Sequence, residues 1–204
     1  MLPLYDESRI RGKIPWATLF LIFFNVVIFF IFLSNLDFFI ENFGFISERI
    51  FKREAIFSLF SSMFLHGGLF HLFGNMWFLW VFGDNLENKI GKIKFLIFYF
   101  LCGIGSALLY SITAVNKSIP VVGASGAISG ILGGYLILFP RNQIKALVPM
   151  FYFYRVVTIP ALIYIGIWFL YQFLYMGVDP FVAYWGHIGG FLTGLLLINL
   201  FKKE

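Results

Sequence analysis

The chain has 204 residues, enough for one domain or a short helical bundle. Its residues are 60% hydrophobic and 12% charged, and 29 of them are phenylalanine. This composition excludes a soluble domain, because so small a core could not bury that much apolar surface. The net charge of +5 comes from lysines and arginines at the ends of apolar runs, which indicates membrane topology rather than nucleic-acid binding. The single cysteine, Cys102, excludes an internal disulfide, and we interpret it as a packing residue.

Six apolar segments are predicted to cross the membrane, since each crossing needs about 20 helical residues. In chain order they are residues 16–36, 68–82, 93–114, 125–139, 156–176 and 181–201. Residues 55–65 are predicted to form an interfacial or re-entrant piece before the second span. The expected fold is therefore an all-α integral membrane protein, with residues 1–15 as a cytoplasmic segment and residues 16–204 as a six-helix membrane domain.

The distribution of charge predicts the orientation. With six spans, both termini lie on the same side of the membrane. Most basic residues fall on that side: Arg9, Arg11, Lys13, Lys89, Lys92, Lys94, Arg141, Lys145, Lys202 and Lys203. The opposite side has Arg49, Lys52, Arg53 and Lys117. The excess of positive charge favours cytoplasmic termini and makes residues 37–54 a long first external loop.

Three polar residues are predicted to lie at one depth near the outer face. His71, Ser125 and His187 all fall near the N-terminal ends of spans two, four and six, which run in the same direction. Their depths agree within roughly 10 Å at 1.5 Å per residue. Span four is short, so Ser125 is expected below the surface, where irregular backbone is tolerated only if it is buried in protein or lines a watery cavity. The sequence therefore predicts a sunken, hydrated cavity beside Ser125.

The residue types in this layer are those of a serine hydrolase. A serine hydroxyl needs a base to take its proton, and His187 is the candidate for that role. Ser125 opens a helix, where free backbone N–H groups suit a developing oxyanion. His71 and Asn75 lie one helical turn apart and could donate to the same oxyanion. Because spans four and six contain no aspartate or glutamate, we expect a Ser–His dyad without an acidic third member.

Taken alone, each motif has a plainer interpretation. Gly-Ala-Ser-Gly in a membrane helix is usually a close-packing motif, and an intramembrane histidine is usually a structural hydrogen-bonding residue. The glycine stripes predict that spans four and six pack tightly and so align Ser125 with His187. These glycines are Gly126, Gly130 and Gly134 in span four and Gly190 and Gly194 in span six. The His-Glu-x-x-His motif of zinc proteases is absent from the sequence, and we expect no metal or cofactor.

Three segments resemble the signature blocks of the rhomboid intramembrane serine proteases, in the compact six-span bacterial form. They are residues 66–75, 123–126 and 187–190. The resemblance implies that Ser125 is the nucleophile and His187 the base. It also implies an oxyanion hole of His71, Asn75 and the Ser125 N–H, and it implies that His66 braces the first external loop. Apart from the resemblance, Gly123 and Gly126 are expected to let the backbone turn tightly and another helix approach.

The resemblance extends to the fifth span. Trp168 and Gln172 match a recurring Trp-x3-Gln of the family, on the helix that flanks lateral substrate access. With Phe169 and Phe173 they are the candidate gate residues. The sequence departs from the family at Ser129, where many members carry an aromatic residue stacked on the histidine.

The hypothesis from sequence is an intramembrane serine endopeptidase of the cell membrane that cuts transmembrane segments of other proteins near the outer face. Its substrates would come laterally from the bilayer, and its surroundings would be lipid, with no nucleic-acid partner. The alternative is a non-proteolytic rhomboid-like protein that binds transmembrane partners.

Overall fold

A computed structural model describes residues 1–7, 14–150, 152–179 and 182–202. The helices are α1 (Trp16–Phe32), α2 (Leu36–Phe43), α3 (Ser47–Phe51), α4 (Ser58–Ser61), α5 (Leu69–Ile90), α6 (Lys92–Thr113), α7 (Ser125–Leu138), α8 (Ala161–Leu174) and α9 (Tyr184–Phe201). The strands are β1 (Leu2–Asp6), β2 (Gln143–Met150) and β3 (Phe153–Pro160). The fold is mostly helical.

Within the described residues, three helical stretches are long and apolar enough to cross a membrane: Trp16–Phe43, Lys92–Thr113 and Tyr184–Phe201. Helices α7 and α8 are also apolar but shorter, at 14 residues each. Helix α5 has 22 residues and carries buried polar groups near its C-terminal end. Phe181, where the sixth span was predicted to begin, lies outside the described residues, as do Arg9, Arg11, Lys13 and Lys203 of the charge comparison.

A sheet corrects the all-α expectation. In the described part of the chain, the strands form an antiparallel sheet in the order β1-β2-β3, with Leu2 opposite Leu147 and Gln143 opposite Pro160. The fifth span was predicted from residue 156, but residues 156–160 belong to β3 and helix α8 begins only at Ala161. Residues 156–159 are β-branched, which favours a strand, yet a short apolar run looks the same in either structure.

Strand β1 packs against the helices. The Trp77 indole of α5 donates a hydrogen bond to the Pro3 carbonyl oxygen. The Asp6 carboxylate accepts hydrogen bonds from the Asn85 amide of α5 and from the Tyr135 hydroxyl of α7. The first residues of the chain are therefore part of the packed structure, although residues 1–15 were predicted only as a segment outside the membrane domain.

The buried carboxylate of Glu87 holds the beginning of α1. It accepts hydrogen bonds from the backbone N–H groups of Ala17 and Thr18, at 2.9 and 2.8 Å, and from the Thr18 hydroxyl. The first N–H groups of a helix have no partner within the helix, and a carboxylate there also meets the positive end of the helix dipole. Glu87 thereby joins α5 to α1 at the end of the bundle opposite to Ser125.

Helix α7 is at the centre of the bundle and lies directly against α9. Residues 127–135 of α7 are all buried, so this helix is covered on every side. A Cβ atom added at Gly190 would overlap the carbonyl oxygen of Gly126, and one added at Gly194 would overlap that of Gly130. The two backbones are thus in contact, which is possible only with glycine at these positions.

The segment before α7 is hydrogen-bonded to two parts of the chain between α2 and α5. Val121 and Phe45 exchange two backbone hydrogen bonds, each near 2.9 Å. The Gly123 N–H donates to the Ser62 carbonyl oxygen at 2.9 Å. These bonds fix the chain immediately before Ser125.

Candidate active site

The structure brings Ser125 and His187 together. Ser125 is the first residue of α7, and His187 lies one turn into α9. The glycine contact between the two helices places the Ser125 Oγ and the His187 Nε2 2.9 Å apart, a hydrogen-bond distance. This is the separation that a serine nucleophile and its general base require.

Gly123 shapes the backbone that leads into Ser125. Its φ angle is +122°, in the region that favours glycine. A Cβ atom at this position would also come within 2.7 Å of the His71 Nε2, and it would be 3.7 Å from the Ser125 Oγ. Gly123 therefore leaves the space in which His71 approaches Ser125. Ala124, at the N-cap, makes no side-chain hydrogen bond to the helix start, so it does not compete for the first N–H groups of α7.

The other predicted polar residues occupy different positions around this pair. His71 is exposed toward the cavity, and its Nδ1 accepts a long hydrogen bond of 3.4 Å from the Gly67 N–H, which leaves Nε2 as the donor. His66 is buried, with its ring centroid 5.1 Å from that of His71. The Ala124 N–H points at its Nε2 from 3.5 Å. The Asn75 amide donates to the His71 carbonyl oxygen at 2.9 Å, within its own helix.

Ser125 and His187 line a cavity of about 820 Å³. His71 and Gly123 line it as well, whereas Asn75 is not among the described residues that do. Much of the remaining wall is apolar, with Met63, Tyr110 and Val182 among its residues. A cavity of this size is within the range of ligand sites and can hold several residues of an extended peptide.

Gln172 is the site residue whose position the sequence did not reveal. Its side chain is buried, and its Oε1 lies 2.8 Å from the His187 Nδ1. It was predicted as a gate residue, but it is not among the described residues that line the cavity. The signal that could have found it is a glutamine within an apolar membrane helix, since such polar groups are costly and need a partner.

Ser129 occupies the position at which an aromatic residue could have stacked on His187. Its hydroxyl donates to the Ser125 carbonyl oxygen at 2.6 Å, and so it makes no contact that would orient His187. The Trp168 ring of α8 lies 6.3 Å from the imidazole, centroid to centroid, and is tilted by 35°. An aromatic residue from another helix thus borders His187 without stacking on it.

Of the remaining gate candidates, Phe169 contacts α9 and Phe173 packs against Phe169 within α8. The Phe169 ring stacks on Phe191 at 4.3 Å, and the Phe173 ring packs edge-on against Phe169 at 5.3 Å. Phe173 is also exposed on the outside of the bundle. Phe169 thus lies at the boundary between α8 and α9, and Phe173 lies beside it on the outer surface of α8.

The family-model match is with the Rhomboid domain and covers residues 53–204. The chain belongs to the rhomboid family. The match includes the Ser125–His187 pair, Gln172 and the whole of helices α5 to α9.

Several curated relatives are similar to this rhomboid over about three quarters of its length. RHOMBOID-like protein 4 of Arabidopsis thaliana is 36% identical over 150 residues, which are 74% of this chain and 35% of that protein. Rhomboid-like protease 3 of Toxoplasma gondii is 31% identical over 158 residues, 76% of this chain and 55% of that protein. Inactive RHOMBOID-like protein 8 of Arabidopsis thaliana is 32% identical over 161 residues, 76% of this chain and 41% of that protein. The chain thus spans roughly a third to a half of their lengths.

Proposed function

We propose that this rhomboid is an intramembrane serine endopeptidase that hydrolyses peptide bonds in or near transmembrane segments of other membrane proteins. The observation that carries the proposal is the 2.9 Å contact between the Ser125 Oγ and the His187 Nε2 at the wall of a large cavity. The pair is not what holds α7 against α9, since these helices are already packed through their glycines.

The reaction would follow the general logic of serine hydrolysis. The Ser125 oxygen attacks the scissile carbonyl carbon while the His187 Nε2 takes the hydroxyl proton. The oxyanion is stabilised by the Ser125 N–H at the start of α7 and by the His71 Nε2–H; Asn75 stays a predicted third donor. His187 then gives its proton to the leaving amine, and a water molecule, deprotonated by His187, hydrolyses the acyl-enzyme. A substrate helix must first unwind, because its own hydrogen bonds occupy the scissile carbonyl.

We further propose that the chain spans the cell membrane six times, with cytoplasmic termini and with the cavity opening toward the outer face. Helices α5, α7 and α8 would join the three longer apolar stretches as spans. Substrates would enter laterally from the lipid. Reporter fusions at residue 116 and at the C-terminus test this arrangement. We expect the reporter at residue 116 outside the cell and the one at the C-terminus in the cytoplasm. Any other combination of locations would contradict the arrangement.

Family membership does not by itself decide between a protease and a non-proteolytic binder. The relatives include one named a protease and one named inactive, at nearly the same identity to this chain. The site favours the protease, because both members of the proposed dyad are present and within hydrogen-bond distance.

The test is cleavage of a labelled single-span substrate in liposomes by the wild type, Ser125→Ala and His187→Ala. We expect the wild type to cut and both folded variants to lose cutting, while Ser125→Ala still binds the substrate. A small fluorophosphonate should label Ser125 in the wild type alone. A wild type that binds substrates from a broad panel, cuts none and resists the fluorophosphonate would refute the protease and favour the partner-binding alternative.

A further inference from the structure

We propose that Gln172 is a positioning residue that fixes the tautomer and the ring orientation of His187. The inference rests on the proposed function, because it concerns the base of the proposed dyad. It assigns Gln172 a role inside the reaction, in place of the gate role expected from sequence.

The hydrogen bonds around Gln172 define its orientation. The Gln172 Nε2 donates to the Trp168 carbonyl oxygen at 2.9 Å, one turn earlier in α8. The amide oxygen must then be the atom that faces His187, and it lies 2.8 Å from the Nδ1. An amide oxygen can only accept a hydrogen bond. Nδ1 therefore carries the hydrogen of the neutral imidazole.

This assignment determines what His187 can do at its other nitrogen. With the hydrogen on Nδ1, Nε2 has a free lone pair, and it is Nε2 that lies 2.9 Å from the Ser125 Oγ. The three side chains form one chain of hydrogen bonds in which Ser125 donates to His187 and His187 donates to Gln172. The opposite tautomer would present an N–H to the serine and could not take its proton.

Among the described neighbours of His187, Gln172 is the residue placed to orient the ring through Nδ1. Ser129 is engaged with the Ser125 carbonyl oxygen, and the Trp168 and Tyr184 rings border the imidazole at 6.3 Å without stacking on it. Gln172 is only 3% exposed, so little water reaches it to compete for the Nδ1 hydrogen. A neutral amide can hold the ring without placing a bare carboxylate in the bundle, where an ionised group is costly.

The decisive experiment separates positioning from gating. Gln172→Leu is compared with Leu170→Ala, a lipid-exposed change on the same helix, for fluorophosphonate labelling of Ser125 and for kcat and KM on a transmembrane substrate. The small reagent needs no lateral gate. We expect Gln172→Leu to slow labelling and lower kcat by roughly 10-fold to 100-fold, the effect of one buried hydrogen bond, with KM nearly unchanged. Gln172→Glu should recover much of the loss in its neutral form, whose hydroxyl can donate to the Trp168 carbonyl oxygen while its carbonyl oxygen accepts from Nδ1.

If Gln172→Leu changes only substrate cleavage and leaves labelling at the wild-type rate, Gln172 belongs to the gate and the inference is wrong. A wild type that neither cuts nor labels would instead refute the proposed function. Nitrogen-15 NMR of the histidines gives a further readout that does not depend on activity. The wild-type His187 signals, assigned by their loss in His187→Ala, are expected to show hydrogen on Nδ1, and hydrogen on Nε2 would overturn the proposal.

Discussion

Helix α9 carries His187 and helix α8 contacts it through Gln172, but the two helices are held in different ways. Helix α9 lies against α7 with backbone touching backbone at Gly190 and Gly194. Helix α8 buries only four side chains and reaches the site through side chains alone, and its Gly166 has open space where a Cβ would be. The reacting pair is thus placed on the tightly packed helices. A movement of α8 would leave α7 and α9 packed together, although it would break the contact between Gln172 and His187.

The largest effect is expected where the tight contact is broken. In Gly190→Ala the new methyl group overlaps the Gly126 carbonyl oxygen, so α9 must move away from α7. A displacement near 1 Å is enough to reduce catalysis about 100-fold. We also expect a loss of stability of about 1–3 kcal/mol from overpacking. Cleavage assays and thermal unfolding in detergent measure both, and wild-type cleavage by this variant would show that the contact does not position the pair.

The pH dependence of cleavage should follow the protonation of His187 on the tightly packed helix α9. A protonated imidazole cannot take the serine proton, so the rate falls in acid, with a midpoint within about two units of pH 6.5. Initial rates of cleavage in buffered liposomes measure the profile. The same profile is expected for the α8 variant Phe169→Ala, which leaves the dyad intact. A rate that stays flat down to about pH 4 would remove His187 as the general base.

A moderate effect is expected where α8 contacts α9. Phe169→Ala removes the stacking on Phe191, a contact worth about 0.5–1.5 kcal/mol. If α8 is the gate, cleavage of a transmembrane substrate rises by roughly 2-fold to 10-fold, while fluorophosphonate labelling of Ser125 changes little. Leu162→Ala, an exposed change near the other end of α8, is the matched control. Equal cleavage by Phe169→Ala and Leu162→Ala would argue for access elsewhere.

The smallest effect is expected at Gly166, the open position on α8. Gly166→Ala adds a methyl group to α8 where nothing lies within 4 Å. Since alanine favours a helix over glycine by about 1 kcal/mol, the variant should be equally or slightly more stable and fully active. Thermal unfolding beside Gly190→Ala tests this directly. A strong loss of activity would mean that α8 is as closely packed as α9.

Much of the helical framework was predictable because long apolar runs leave few alternatives. Helix α6 (Lys92–Thr113) and helix α7 (Ser125–Leu138) lie within one residue of the predicted 93–114 and 125–139. The closeness of Ser125 and His187 could be expected as well, because their shared depth and the glycine stripes are both properties of the sequence.

Two features could not be read from the pattern. The sheet pairs Leu2 with Leu147, and such long-range pairing depends on tertiary packing that no local window contains. The contact between Gln172 and His187 depends on how far α8 is rotated about its own axis, and the surrounding apolar residues do not define one face. The sequence placed Gln172 near the site, but the rotation of α8 decided what it touches.

The pairing of β1 with β2 has a consequence for how the protein is made. Strand β1 is synthesised before all the helices described above, yet its partner strand includes Leu147 and its Asp6 bonds to Tyr135. Residues 2–6 therefore cannot make these contacts until most of the helices have been synthesised. His187 arrives later still. A nascent chain therefore carries Ser125 without His187 until helix α9 is in place, so the two side chains cannot meet while the earlier helices are being inserted.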